Sequence, residues 1–119
     1  TGVIDIFQLS ASPQWGYETT SPIVQKSDGY YCCGWNGIGL VGNTSTTQAN
    51  SYVKINIPSN VTLKYVGQFS TYINRFTRVA VTTDNKIYTW GYNANFNIDG
   101  VTTPNCLMPI DVTPNCINK

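Results

Sequence analysis

The chain of 119 residues has no histidine, a single methionine and few charged residues, which make up 11% of the total. Without histidine, a Ser or Cys hydrolase triad of the common type is excluded, and a zinc site would need cysteine and carboxylate ligands alone. The formal net charge of +1 offers no basic surface to nucleic acid. No apolar run is long enough to cross a bilayer. We therefore expect neither a nucleic acid partner nor membrane insertion.

The residues that are present are typical of one packed domain. Hydrophobic residues make up 41% of the chain and aromatic residues 13%. This content and length suit one ordinary hydrophobic core, and no shift in composition marks a second domain. We expect residues 1–119 to form a single folding unit.

Short apolar runs separated by turn residues predict an all-β protein without a convincing helix. The runs are rich in β-branched and aromatic residues and are bounded by Gly, Pro, Asn, Asp or Ser, as strands are. We predict eight strands, at residues 3–9, 23–25, 30–33, 52–57, 61–66, 78–81, 87–90 and 109–112.

Two similar stretches lie 57 residues apart and indicate an internal repeat. Gly34, Trp35 and Asn36 follow one strand, and Gly91, Tyr92 and Asn93 follow another. A fixed period is the mark of repeat architectures, and the order of elements in each half is that of a four-stranded propeller blade. We place repeat unit one at about 3–58, repeat unit two at about 61–113 and a C-terminal tail at 114–119.

Each half also contains a tight-turn signal between its second and third strands. Ser27, Asp28 and Gly29 form the first, and residues 83–85, with the sequence Thr-Asp-Asn, form the second. Gly accepts a positive φ freely and Asn tolerates one, so both signals predict hairpins.

The run from Arg78 to Asn93 resembles the repeat of the regulator of chromosome condensation family, with its apolar alternation, Asp turn and Trp, Gly and Asn corner. The first half is similar at residues 28–31, 34, 36, 39, 40 and 42. The resemblance implies a β-propeller, which in that family typically has seven blades in one chain. Phe96 and Asp99 stand where the first half has Gly39 and Gly42, and the family's usual histidine is missing. We carry over none of the family's nucleotide exchange or chromatin binding.

Two blades cannot close a ring, because propellers have about four to eight. The ring would be completed by oligomerisation or by further repeats of a longer chain. Three copies would make six blades and four copies eight, whereas a contact that fails to close would build a filament.

The repeated corners are candidate ligand sites. An aromatic ring next to an amide suits a sugar, which stacks on the ring and bonds the amide, and weak repeated sites gain from multivalency. The alternative is that these rings pack between blades. The candidate ligand-binding residues are Trp35, Asn36, Tyr92 and Asn93 at the corners, with Trp15 and Tyr17 in a loop flanked by Gly and Pro. Tyr88 and Trp90 are expected to be structural, and Arg75 and Arg78 are expected near an edge.

The cysteines and sequons favour an extracellular or virion-surface location. Cys106 and Cys116 have the same Pro-Asn context and are candidates for a disulfide, whereas Cys32 and Cys33 should point to opposite faces of a strand. Asn43 and Asn60 begin Asn-X-Ser/Thr sequons, which glycosylation would need. No spacing fits a metal site.

We expect no catalytic residues and no cofactor, because the acids fall mainly in turns and near repeat ends and no pair is predicted to face another across a cleft. Two candidate functions follow from these expectations. The first is a non-enzymatic recognition or adhesion module, either lectin-like or receptor-binding, with a glycan or cell-surface receptor as partner. The second is a structural subunit of an extracellular fibre or virion shell.

Overall fold

The computed structural model describes residues 2–7, 22–70, 76–93 and 105–113. In these residues the chain forms eight strands in two four-stranded antiparallel sheets, which confirms the all-β prediction of two blade-like sheets. Sheet one contains β1 (Val3–Phe7), β2 (Ile23–Lys26), β3 (Gly29–Gly34) and β4 (Ala49–Lys54), in that order. Sheet two contains β5 (Leu63–Ser70), β6 (Phe76–Thr82), β7 (Ile87–Tyr92) and β8 (Asn105–Asp111), also in that order. The predicted tail at 114–119 lies outside the described residues.

The two sheets have the same hydrogen-bond register, including the same irregularities. Tyr31 pairs with Val24 and Lys54 in sheet one, as Tyr88 pairs with Ala80 and Asp111 in sheet two. A bulge interrupts the first strand pair of each sheet, between Val3 and Asp5 and between Leu63 and Tyr65. A second irregularity interrupts the last strand pair of each sheet, between Cys32 and Gly34 and between Thr89 and Gly91. Because bulges are specific features of a fold, their repetition makes the two sheets equivalent strand by strand.

Both predicted hairpin turns are present. Gly29 ends the first turn with φ 145°, and Asn85 lies in the second with φ 65°. The second turn is one residue longer than the first. Equivalent residues are therefore 56 positions apart in β2 and β6 and 57 positions apart in β3 and β7. Asn85 is in the left-handed region that Asn tolerates better than most residues, as the sequence predicts.

The starts of the strands differ most from prediction in β4 and β8, and β5 extends four residues beyond its predicted end at residue 66. β4 begins at Ala49 and β8 at Asn105, three and four residues before the apolar runs that predicted them. The added residues, which include Ala49 and Asn50 in β4 and Asn105 in β8, carry no strand pattern of their own, but the ladder continues from Gly34 to Ala49 and from Tyr92 to Asn105. Pairing with the neighbouring strand therefore decides these bounds, rather than residue type.

The sheets pack face to face around one core. We call the two faces in contact the inner faces and the opposite ones the outer faces. The inner faces contribute Ile23, Tyr30 and Cys32 from sheet one and Leu63, Val66, Ala80, Tyr88 and Trp90 from sheet two. The Leu63 N–H donates to the Tyr30 hydroxyl across the contact, at 2.8 Å. Tyr88 and Trp90 are thus core residues, as expected of them.

Each sheet is covered by the other on one face only, so the ring of blades is not closed within the described residues. These residues include no helix with the length and hydrophobicity needed to cross a membrane.

Candidate functional site

The corner after β3 is organised by Asn36, which is fully buried. Its Nδ2 donates to Asn43 Oδ1 at 3.2 Å, to the Ser45 carbonyl at 2.7 Å and to the Thr47 carbonyl at 3.1 Å. Its Oδ1 accepts from the Val41 N–H at 2.9 Å. The amide therefore holds the loop of residues 36–47 together and has no group left for a ligand.

This loop attaches sheet one to sheet two through the Leu40 carbonyl. That oxygen accepts from Trp90 Nε1 at 2.9 Å and from Arg78 Nη1 at 3.1 Å. Gly39 has φ 80°, and an added Cβ there would lie 2.7 Å from the Leu107 side chain and 2.8 Å from its Cα. The glycine thus allows both the turn and the close approach to β8.

The corner aromatics, Trp35 and Tyr92, are half-buried and pack on a small cluster between the sheets. The cluster consists of Ile38, Leu40 and Phe76. The Trp35 and Phe76 rings meet edge to face, with centroids 6.4 Å apart. This is the packing role that the sequence left open as the alternative to ligand binding.

Asn93, the equivalent of Asn36, is also fully buried. The structure therefore brings Trp35, Asn36 and Tyr92 to the junction of the sheets and leaves neither amide accessible. The other two candidates, Trp15 and Tyr17, lie outside the described residues.

Arg78 is fully buried at the centre of this junction, and the expectation that it lies near a sheet edge was wrong. Arg75, for which the same was expected, lies outside the described residues. β6 is an interior strand, and Arg78 shares a face with Ala80 two residues further on. Nε donates to Gln68 Oε1 at 2.9 Å and Nη1 contacts Cys32 Sγ at 3.3 Å, whereas Nη2 has no hydrogen-bond partner among the described residues. Burial lowers the pKa of Arg78. The period-two alternation along β6 was the signal that could have placed it.

A second candidate site is a shallow cleft between the sheets, which the sequence did not predict. Its volume is about 390 Å³, within the range of small-molecule sites. Tyr88 contributes a hydroxyl that makes no hydrogen bond to the described residues. Burial, and then the charge of Asp111, raise the pKa of this hydroxyl. The residues that line the cleft are Lys54, Ile55, Asn56, Ile57, Pro58, Tyr88, Met108 and Pro109.

Three carboxylates are held locally in turns or at strand ends. The Tyr31 hydroxyl donates to Asp28, the Thr82 hydroxyl to Asp84 and the Thr113 hydroxyl to Asp111. Each of these bonds lowers the pKa of the carboxyl group that accepts it. All three aspartates are exposed, and the described residues contain no group of three or more Cys, Asp or Glu that could hold a metal ion.

The predicted modification sites have different environments. Asn43 is half-buried and accepts a bond from Asn36, whereas Asn60 is exposed in a turn. Cys106 is a free thiol that donates to the Met108 carbonyl at 3.1 Å, and burial raises its pKa. Cys116 lies outside the described residues, so the disulfide stays a prediction. Cys32 is buried on the inner face and Cys33 is half-buried.

The chain matches no family model and no curated protein.

Proposed function

We propose that the chain is a non-enzymatic structural module of the propeller-repeat type, a subunit of an extracellular fibre or virion shell. The observation that supports this proposal is how the corner residues pack and form hydrogen bonds. The Asn36 amide is saturated within its own loop, and Trp35 packs on Phe76. Groups that a lectin would present to a sugar are used here to join one blade to the next.

The repeat family suggested by the sequence remains part of this proposal. Its support is the equivalence of the two sheets and of their Gly and Asn corners. Gly34 and Gly91 both have positive φ, at 111° and 103°, and the following Asn36 and Asn93 are both fully buried. Repeats of this kind need neighbours to cover their remaining faces.

An association role also agrees with the environment of the acids. Catalysis by a carboxylate pair needs two groups that face each other across a substrate. Asp28, Asp84 and Asp111 are instead each bound to a hydroxyl within three residues. The extracellular or virion-surface location is supported by the low charge and the exposed Asn60 sequon.

Recognition of a glycan or cell-surface receptor is the second candidate function, and the cleft at Tyr88 favours it. An apolar depression with one available hydroxyl is able to orient a small ligand group. On this view the ligand binds at the ends of β4 and β8, rather than at the corners.

A glycan array combined with electron microscopy separates the two functions. The structural proposal predicts regular assemblies and no selective glycan binding. Selective binding that is lost in Tyr88→Phe, with Tyr52→Phe as a matched control, would favour recognition. Tyr52 is 44% exposed on β4 and is not among the cleft residues. A protein that neither assembles nor binds would contradict both.

A further inference from the structure

The contact between the two sheets joins unlike faces of the repeat. By register, Tyr31 is the equivalent of Tyr88, and Tyr30 is the equivalent of Ile87. Because side chains alternate along a strand, Tyr88 and Tyr30 point to the inner faces, whereas Tyr31 and Ile87 point to the outer faces. A contact between unlike faces is heterologous, so within the described residues it leaves one copy of each mating face without a sheet packed on it.

The outer face of sheet one is the unoccupied equivalent of a buried face. Ile6 is 54% exposed, whereas its equivalent, Val66, is 6% exposed. Val3 is 47% exposed, and its equivalent, Leu63, is 4% exposed. Val24 on the same face is buried and Tyr31 is half-buried, so the exposed apolar part of this face lies on β1.

The outer face of sheet two is the unoccupied equivalent of the other buried face. Val79 is half-buried, whereas its equivalent, Ile23, is fully buried in the core. Ile87, the equivalent of Tyr30, is half-buried and packs in part against the core. Tyr65 also lies on this face and is 58% exposed, with its ring over Gly67. An apolar surface of this kind is typical of a contact that lacks its partner.

We propose that the outer face of sheet two in one copy binds the outer face of sheet one in the next copy. The partner is a second copy of this chain, because the chain already carries the same pair of faces in contact with each other. Lys26, with its Nζ 4.7 Å from the Tyr31 ring centroid, and Lys54, which approaches Gly29, make one end of the sheet-one face polar, as interfaces commonly are at their rim. Repetition of this contact gives a ring if the rotation closes and a filament if it does not. The inference rests on the proposed structural role and names its interface.

Complementation between two variants tests the interface. Ile6→Asp disables the outer face of sheet one, and Val79→Asp disables that of sheet two. A charge placed in an apolar contact should weaken self-association at least about tenfold in each variant. A 1:1 mixture should form a heterodimer and nothing larger, because each variant retains the face that the other has lost. Analytical ultracentrifugation measures both results.

Two further variants make the test specific. Ser59→Asp adds the same charge in an exposed turn outside both sheets and should assemble like the unmodified chain. Tyr65→Asp replaces Val79→Asp if circular dichroism shows that the change at the half-buried Val79 unfolds the protein, since Tyr65 is 58% exposed. Trimers, tetramers or filaments that both face variants abolish would support the interface.

Failure of the interface and failure of the proposed function give different results. If the chain assembles but neither face variant alters the assembly, the interface is overturned and the structural role stands. The same holds if the mixture fails to form a heterodimer. If the unmodified chain stays monomeric at millimolar concentration, both proposals are overturned.

Discussion

Replacement of Asn36 by Ala should lower the free energy of unfolding by about 3 kcal/mol. The Val41 N–H is buried and would lose its only side-chain acceptor, at a cost of about 1–3 kcal/mol. The carbonyls of Ser45 and Thr47 lie in more accessible parts of the loop, so water replaces the lost amide and each bond costs about 0.5 kcal/mol. The sum is a large fraction of the about 5–15 kcal/mol that stabilises a typical domain.

Urea unfolding measures this loss as a lower midpoint with an unchanged slope. The matched control is Asn56→Ala, because that side chain is exposed and only its backbone N–H is bonded, to the Gly42 carbonyl. The control should change stability by less than about 0.5 kcal/mol. A loss below about 1 kcal/mol in Asn36→Ala would show that the loop does not depend on this amide.

Three further outcomes follow from local geometry. The pKa of Asp84 is lower in the folded chain than in the unfolded chain, so the unfolded chain takes up this proton first as the pH falls. The stabilising effect of the ionised Asp84 is therefore present above about pH 4 and is lost as the pH falls through the pKa of the folded state. Asp84→Asn should flatten the dependence of the unfolding free energy on pH in this range. Gly91→Ala should destabilise the protein by more than about 2 kcal/mol in thermal unfolding, because φ is 103° and the new Cβ would lie 2.6 Å from the Phe76 carbonyl oxygen. Gly67→Ala should cost less, because its new Cβ meets only the Tyr65 ring. Equal losses in the two variants would contradict the importance of the backbone contact at Gly91. Tyr88→Phe should leave the unfolding midpoint unchanged, and a drop of several degrees would reveal a bond to the hydroxyl.

The strands were predictable because the local patterns and the tertiary pairing agree. Short runs such as Ile87 to Trp90 combine β-branched and aromatic residues between turn signals, and the fold uses them as strands. The starts of β4 and β8 were not predictable in the same way. Polar residues at Asn50 and Asn105 carry no strand signal of their own and are extended because a neighbouring strand needs partners.

The sequence indicated the positions of the candidate site residues but not the role that these residues have. The repeat singled out Asn36 and Asn93, but repetition alone does not distinguish a ligand site from a joint between blades. The distinction depends on residues far apart in the chain, such as the Leu40 carbonyl and Trp90 Nε1. Arg78 was misplaced because a charged residue is seldom fully buried, so the general expectation outweighed the alternation along β6.

The matching bulges of the two sheets indicate how the sequences of the two halves can diverge. What the halves have in common is the register of the ladders, while most side chains differ between them. Substitutions can therefore accumulate in one half without shifting its strands, provided that the extra residue in the first pair and the corner after the third strand are kept. If a whole sheet were exchanged with the junction placed at residues 55–62, between β4 and β5, the hydrogen-bond ladders within each sheet would stay intact. Each half is therefore a unit that recombination can move as one piece.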